Sequence, residues 1–220
     1  LNSNGFFTFG PNQKAAQLEG SKSFTKNICK EYNIPTAAYE TFSNLDKAIK
    51  YINNHSIPLV IKADGLAAGK GVIIAETREH AINSVKEIFS GKLGSAGNEI
   101  VIEEFLEGEE ASFFVVSDGN SFIPLTSAQD HKRIGDGDTG LNTGGMGAYS
   151  PAPIMNSDLE EKTINKIIIP TLKAMNDYGE PYIGILYAGL MIKDNEPKLI
   201  EYNVRFGDPE CQVIICLLYT

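Results

Sequence analysis

Three stretches of this chain set charged side chains at the ends of apolar strands. The first is residues 58–71. The apolar run PLVIKA (58–63) carries Lys62 and leads into DGLAAGKG (64–71), which holds Gly69, Lys70 and Gly71. A glycine-rich turn after a buried strand can aim backbone N–H groups and a cation at phosphate oxygens. It is not a Walker A loop, because Gly65 and Gly69 are too close and Gly71 stands where Ser or Thr is required. A plain tight turn is the bland alternative. Lys62 adds weight, since a cation on an apolar strand must point outward from an edge or find an anion.

The second stretch is LIEYNVRFGDPE (199–210). Side chains alternate along a strand, so Glu201 and Asn203 share a face. A carboxylate and an amide oxygen side by side suit a hard cation such as Mg²⁺, which keeps several waters. Arg205 continues that face and can meet a phosphate or carboxylate in bidentate fashion. The bland reading is a polar strand facing solvent. The third stretch, IEEFLEGEE (102–110), is a strand end followed by an acidic turn. Taken alone it is a solvated turn, although free backbone groups there can read an adenine edge, with Glu110 near the ribose. A phosphate-facing lysine, a glycine flap and a carboxylate–amide pair on different strands are the minimum parts for phosphoryl transfer.

The elements that must position these groups alternate at short range. Ser21 or Ser23 caps a helix with Phe24, Ile28 and Tyr32 in one stripe, ended by Pro35. A strand over 36–42 precedes a helix capped by Ser43, with Asp46 in the acidic position of a capping box. Strands follow at 58–63 and 72–76, then a helix over 77–89, then strands at 100–105, 111–116 and 121–126, with Asp118-Gly119 as a hairpin turn. The stretch 131–150 is rich in glycine and has no apolar period, so it reads as a long functional loop. A helix starts at Ser157, with Glu160 completing a capping box, and Pro170 should kink or split it. A hairpin over 183–193 and 198–202 closes the pattern around Asp194, Asn195 and Glu196.

Composition sets limits. The chain has 220 residues, 42% hydrophobic and 21% charged, an ordinary balance for one domain or two close subdomains. A net charge of −9 argues against a broad nucleic-acid surface but not against a locally positive pocket. No apolar run approaches the length of a membrane span, and the N-terminal residues lack the pattern of a signal peptide. Three cysteines without metal-ligand spacing fit a reduced, cytoplasmic setting. The first residue is not Met and the last stretch is an uncapped apolar run, so both ends read as internal to a longer polypeptide.

The order GSK (20–22), IKADGLAAGKGV (61–72), EEFL (103–106) and EYN (201–203) resembles the ATP-grasp superfamily. Within it, DHKR (130–133), DTG (138–140), NTGGMGAYSP (142–151) and RFGDPE (205–210) resemble the phosphoribosylamine–glycine ligase family. The resemblance runs from about residue 10 to 210 and implies an α+β fold in which two α+β subdomains grip ATP between antiparallel-rich sheets. Residues 1–21 would be the end of an N-terminal domain and 22–220 the ATP-grasp domain. Within that domain, about 35–105 would form a lid-like small subdomain and 106–220 a larger one, truncated at its C-terminal end. Further N- and C-terminal domains of the same enzyme would be missing, leaving this segment nearly inactive alone.

The resemblance also implies roles. Lys22 and Lys62 would meet the α- and β-phosphates while Gly69, Lys70 and Gly71 close over the triphosphate. Glu103, Glu104, Phe105 and Leu106 would bind adenine, largely through backbone groups, and Glu110 the ribose. Glu201 and Asn203 would hold Mg²⁺ or Mn²⁺, with Arg133, Asn142 and Arg205 near the transferring phosphate and substrate. The small-molecule substrates would be ATP, glycine and 5-phosphoribosylamine. No covalent nucleophile is required, so catalysis rests on positioning and charge neutralisation. Two departures stand out: Leu141 where the family usually has proline, and no carboxylate on 183–193 to act as a third metal ligand. A different ATP-grasp carboxylate–amine ligase and a non-catalytic nucleotide-binding module are the competing readings.

Overall fold

The computed structural model describes residues 4–65, 71–92, 94–131, 133–136, 139–143 and 145–219. Two antiparallel sheets form the frame. The smaller takes all its strands from residues 39–104: β1 (Tyr39–Phe42), β2 (Leu59–Ala63), β3 (Val72–Ala75) and β4 (Ile100–Glu104), in the order β1-β4-β2-β3. β2 is thus an interior strand, paired with β3 on one side and β4 on the other. Two helices cover one face, α3 (Leu45–Asn54) and α4 (Arg78–Glu87). Ala48, Ile52, Ala81 and Val85 pack there against Phe42, Leu59, Ile61, Ile100 and Ile102. α4 runs on into a π-helical turn, Ile88–Lys92.

The larger sheet has the order β11-β10-β5-β6-β9. Its strands are β5 (Glu109–Asp118), β6 (Phe122–Asp130), β9 (Ala148–Tyr149), β10 (Ile183–Lys193) and β11 (Glu196–Asn203). The period-two alternation is visible in neighbouring residues: Phe113 joins the main core and Phe114 the cluster on the opposite face. The main core receives Leu18 from α1 (Gln17–Gly20), Ile28 and Cys29 from α2 (Lys22–Glu31), Leu159 from α5 (Ser157–Thr163) and Met175 from α6 (Ile169–Asp177). Ile214 of α7 (Glu210–Tyr219) packs with Phe114 on the other side.

Several boundaries differ from the sequence expectation for local reasons. The first strand begins at Tyr39, since Thr36 instead bridges to Leu199 of β11. Ser21 does cap α2, accepting the Phe24 N–H at 3.1 Å. The caps of α3 and α5 are Asn44 and Asn156, each one residue before or after the serine expected, because the asparagine oxygen takes the N–H three residues on. Pro170 does not interrupt the run of helical residues: its missing N–H lies in the first turn of α6, and a π-helical turn, Ile164–Ile168, joins α5 to it, the junction residues staying right-handed helical.

The stretch 131–150 is not structureless. β7 (Arg133–Gly135) and β8 (Thr139–Asn142) form a ribbon of their own, and β9 pairs with β6. Gly135 and Gly140 fall within these two short strands, so no period-two alternation marks them in the sequence. The turn between β4 and β5 depends on Gly108, whose φ is 152° and whose added Cβ would lie 2.4 Å from the Ile192 carbonyl oxygen. That close approach lays the 105–108 turn against β10.

Candidate nucleotide and metal site

Both sheets contribute to one cleft of about 310 Å³. Lys62 and Glu103 enter from β2 and β4, and Lys22 and Lys26 from α2. Glu201, Asn203 and Arg205 enter from the end of β11 and the turn after it, while Gly71 and Val72 mark the return of the glycine loop. Residues 43 positions apart, Lys22 and Gly65, meet here: the Lys22 ammonium donates to the Gly65 carbonyl at 3.2 Å.

Lys62 is buried at 4% exposure, which removes the reading of an outward edge-strand lysine. Its Nζ lies 3.0 Å from Glu103 Oε1 and donates to the Ile200 carbonyl at 3.2 Å. The Glu103 oxygen receives that counter-charge off the hydrogen-bonding direction and, among the described residues, has no directed donor. Lys26 Nζ sits 3.1 Å from the second Glu103 oxygen and donates to Thr36 Oγ1 at 2.7 Å. Burial disfavours the charged form of both Lys22 and Lys26 and lowers their pKa values, although Glu201 pulls Lys22 back up and Glu103 does so for Lys26.

Glu201 and Asn203 lie two residues apart on β11, opposite Gly189 and Tyr187 of β10. Among the described residues no group of three or more His, Cys, Asp or Glu side chains could hold a metal. A carboxylate and an amide oxygen beside phosphate-sized space still fit Mg²⁺, which binds through one or two protein oxygens plus phosphates and water. Arg205 is held by Glu19, at 3.0–3.1 Å, and donates to Asn203 Oδ1 at 3.3 Å. Glu19 also accepts the Val204 N–H at 2.9 Å, so α1 braces the turn that follows Asn203.

Other expected residues lie elsewhere. Glu104, Phe105 and Leu106 line a separate recess with Met191, Lys193 and Lys198. Glu104 pairs there with Lys198 at 3.1 Å and accepts the Ala38 N–H at 3.0 Å. The Glu103 side chain forms cleft wall and is engaged by two lysines. Glu110 is exposed on β5, and its carbonyl accepts from Gln129 at 2.9 Å. Arg133 and Asn142 are register partners across the β7–β8 ribbon; their side chains lie outside the described residues, as do Gly69 and Lys70 entirely.

Glu19, Lys26 and Thr36 were not singled out in the sequence reading, and Asp64 entered only as the first residue of the glycine loop. For Lys26 a signal existed. It stands four residues after Lys22 and therefore on the same side of α2.

Two helix-covered antiparallel sheets enclosing lysines and an acidic–amide pair define an ATP-grasp domain. The particular family follows from comparison: residues 20–211 match the model described as phosphoribosylglycinamide synthetase, ATP-grasp (A) domain, and the chain belongs to that family. It is 57% identical over 218 residues to the phosphoribosylamine–glycine ligase of Brucella melitensis, covering 99% of this chain and 51% of that protein. The chloroplastic enzyme of the same name from Arabidopsis thaliana is 59% identical over 217 residues, covering 97% of this chain and 41% of that protein. A solved phosphoribosylamine–glycine ligase from Thermotoga maritima superposes with a TM-score of 0.89 at 43% identity, over 95% of this chain and 53% of that one. The chain thus spans about half the length of these relatives. Among the described residues no helix is long and apolar enough to cross a membrane.

Proposed function

We propose that this chain is the ATP-binding core of an enzyme joining glycine to 5-phosphoribosylamine. The observation that carries this is the convergence of Lys22, Lys62, Glu201, Asn203 and Arg205 on one cleft between the sheets. Lys22 and Lys62 meet the triphosphate there. Gly69, Lys70 and Gly71 cover it, and the backbone of Glu103, Glu104, Phe105 and Leu106 receives adenine, with Glu110 toward the ribose. Glu201 and Asn203 hold Mg²⁺ or Mn²⁺, whose charge offsets that of the phosphates when bound.

The reaction follows from these parts. The glycine carboxylate oxygen attacks the γ-phosphorus, ADP leaves, and a glycyl phosphate forms. The ribosyl amine then attacks the acyl carbon, phosphate leaves with the C–O electron pair, and the amide remains. Arg133, Asn142 and Arg205 serve the transferring phosphate and the substrates. Residues 35–105 act as the lid-like part and 106–220 as the larger part, with neighbouring domains completing the substrate site. The three free cysteines support a reducing, cytoplasmic setting.

The test has two stages on the full natural polypeptide carrying this chain. ATP binding should tighten with Mg²⁺ in the wild type and lose most of that gain in Glu201→Gln. Phosphate release should then require both glycine and freshly made phosphoribosylamine, and other amino acids should not replace glycine. A metal-independent affinity unchanged by Glu201→Gln would falsify the ligase reading and leave a nucleotide-binding module.

A further inference from the structure

One carboxylate on the wall of the cleft is shared by two buried ammonium groups. Glu103 is 3% exposed, with Lys26 Nζ 3.1 Å from one oxygen and Lys62 Nζ 3.0 Å from the other. Lys26 is fixed from several sides. It donates to Thr36 Oγ1 at 2.7 Å, Thr36 in turn donates to the Leu199 carbonyl at 2.7 Å, and Nζ stands 5.3 Å from the centre of the Tyr39 ring. Packing alone would not select a lysine here, because an apolar side chain avoids the cost of burying an ammonium.

Counting charges gives the consequence. Two ammonium groups on one carboxylate leave a net positive charge beside the space where an anion would lie. With Lys26 neutral, Lys62 and Glu103 would close into an uncharged pair, and Lys62 would have to leave its partner to engage a phosphate. We propose that Lys26 is a positioning residue that takes up half of Glu103, leaving the charge of Lys62 available to the triphosphate. This inference rests on reading the cleft as an ATP site.

The experiment is calorimetric titration of ATP with Mg²⁺ into the full natural polypeptide and its variants, with thermal unfolding of each variant alongside. Lys26→Met should bind on the order of tenfold more weakly, the scale of one charge removed from the cleft wall behind Glu103 at an intermediate effective dielectric. The double variant Lys26→Met/Glu103→Gln restores the net charge and should recover most of the loss, which a role in packing would not produce. Lys26→Arg should retain most of the affinity. The inference is overturned if Lys26→Met binds as the wild type does, or if the double variant is as weak as the single. Should Lys26→Met fail to fold, the charge-restoring double variant decides: strong binding supports the inference and its loss overturns it. No binding by the wild type removes the functional reading and this inference with it, whereas wild-type binding with an unaffected Lys26→Met removes the inference alone.

Discussion

Asp64 caps the helix that begins at Lys22: one carboxylate oxygen accepts the Lys22 backbone N–H at 2.6 Å and the Ser23 N–H at 3.1 Å. The Ser21 hydroxyl donates to the other oxygen at 3.1 Å. The end of β2 and the start of α2 are therefore tied at the point where the glycine loop departs, and the loop's return is stitched by the Ala63 N–H donating to Gly71 at 2.8 Å. The backbone dipoles of the helix start favour this carboxylate. Asp64→Ala should cost about 1–2 kcal/mol, the usual worth of a cap with charge-assisted bonds. It should also weaken ATP binding severalfold, because Lys22 and the loop stem lose a common anchor. Urea unfolding and ATP titration on the same preparation separate the two effects. A loss of stability with unaltered ATP affinity would mean that Asp64 is a cap and nothing more.

A second prediction concerns the RFGDPE turn. Glu210 is buried at 2% exposure; Tyr187 donates to it at 2.9 Å and Ser112 at 3.3 Å, so the turn is pinned beneath the large sheet. A Cβ on Gly207 would come within 2.2 Å of Glu210 Oε2 and 2.6 Å of its Cδ. Gly207→Ala must therefore displace a buried carboxylate, and should destabilise by about 1–3 kcal/mol, the range for overpacking. Combined with Glu210→Ala the loss should fall short of the sum, since both changes act on one contact. Additive losses in denaturant unfolding would show that the turn tolerates the methyl group without touching Glu210.

These cases show which parts of the molecule were legible in the sequence. The interior strand holding Lys62 and the β10–β11 hairpin each leave an apolar run in the sequence, and the structure has both. The ribbon of β7 and β8 leaves none, because strands of 3 and 4 residues that contain Gly135 and Gly140 are too short to show an alternation. On α2 the stripe of Phe24, Ile28 and Tyr32 marks one apolar face, yet Thr25, Lys26, Ile28 and Cys29 are the buried residues. The helix is turned so that its polar groups face the cleft, and a hydrophobic stripe is silent about that rotation. The capping role of Asp64, which the sequence reading placed only in the glycine loop, and the bracing role of Glu19 were hidden for another reason. Their partners lie 42 and 185 positions away, and single carboxylates carry no local pattern.

The lysines of the cleft predict opposite pH responses for binding and stability. Burial lowers the Lys22 pKa from the ordinary 10.5, more than Glu201, Asp64 and Glu103 raise it, with Lys62 adding to the fall. The unfolded chain then binds more protons than the folded one between the lowered value and 10.5. The contribution of Lys22 to stability is thus fully present above 10.5 and is lost as pH falls through the folded value. Phosphate binding needs the cation, so ATP affinity should decline as pH rises through that same window. Lys22→Met should flatten the alkaline part of the ATP-affinity profile and lower affinity at neutral pH. An affinity that holds steady up to the titration of an ordinary lysine would show that burial does not lower the Lys22 pKa, and an unchanged affinity in Lys22→Met would remove Lys22 from the phosphate site.

The cysteines supply a probe of whether α2 belongs to the binding site. Cys29 is buried on α2, three residues after Lys26, and burial pushes its thiol up to about 12 against the pull of Lys26. Cys216 is exposed on α7. Only the thiolate reacts, so at neutral pH a thiol reagent should modify Cys216 quickly and reach Cys29 only when α2 opens or the chain unfolds. In a Cys211→Ser/Cys216→Ser background the slow reaction of Cys29 can be followed alone. If opening of α2 dismantles the ATP site, saturating nucleotide must suppress that opening, and at about ten times the dissociation constant the rate should drop roughly tenfold. On the inference drawn above for Lys26, Lys26→Met should require proportionately more ATP for the same protection. Cys29 reacting as fast as Cys216 would contradict the packing of α2, and a rate indifferent to ATP would separate α2, and both of its cleft lysines, from the nucleotide.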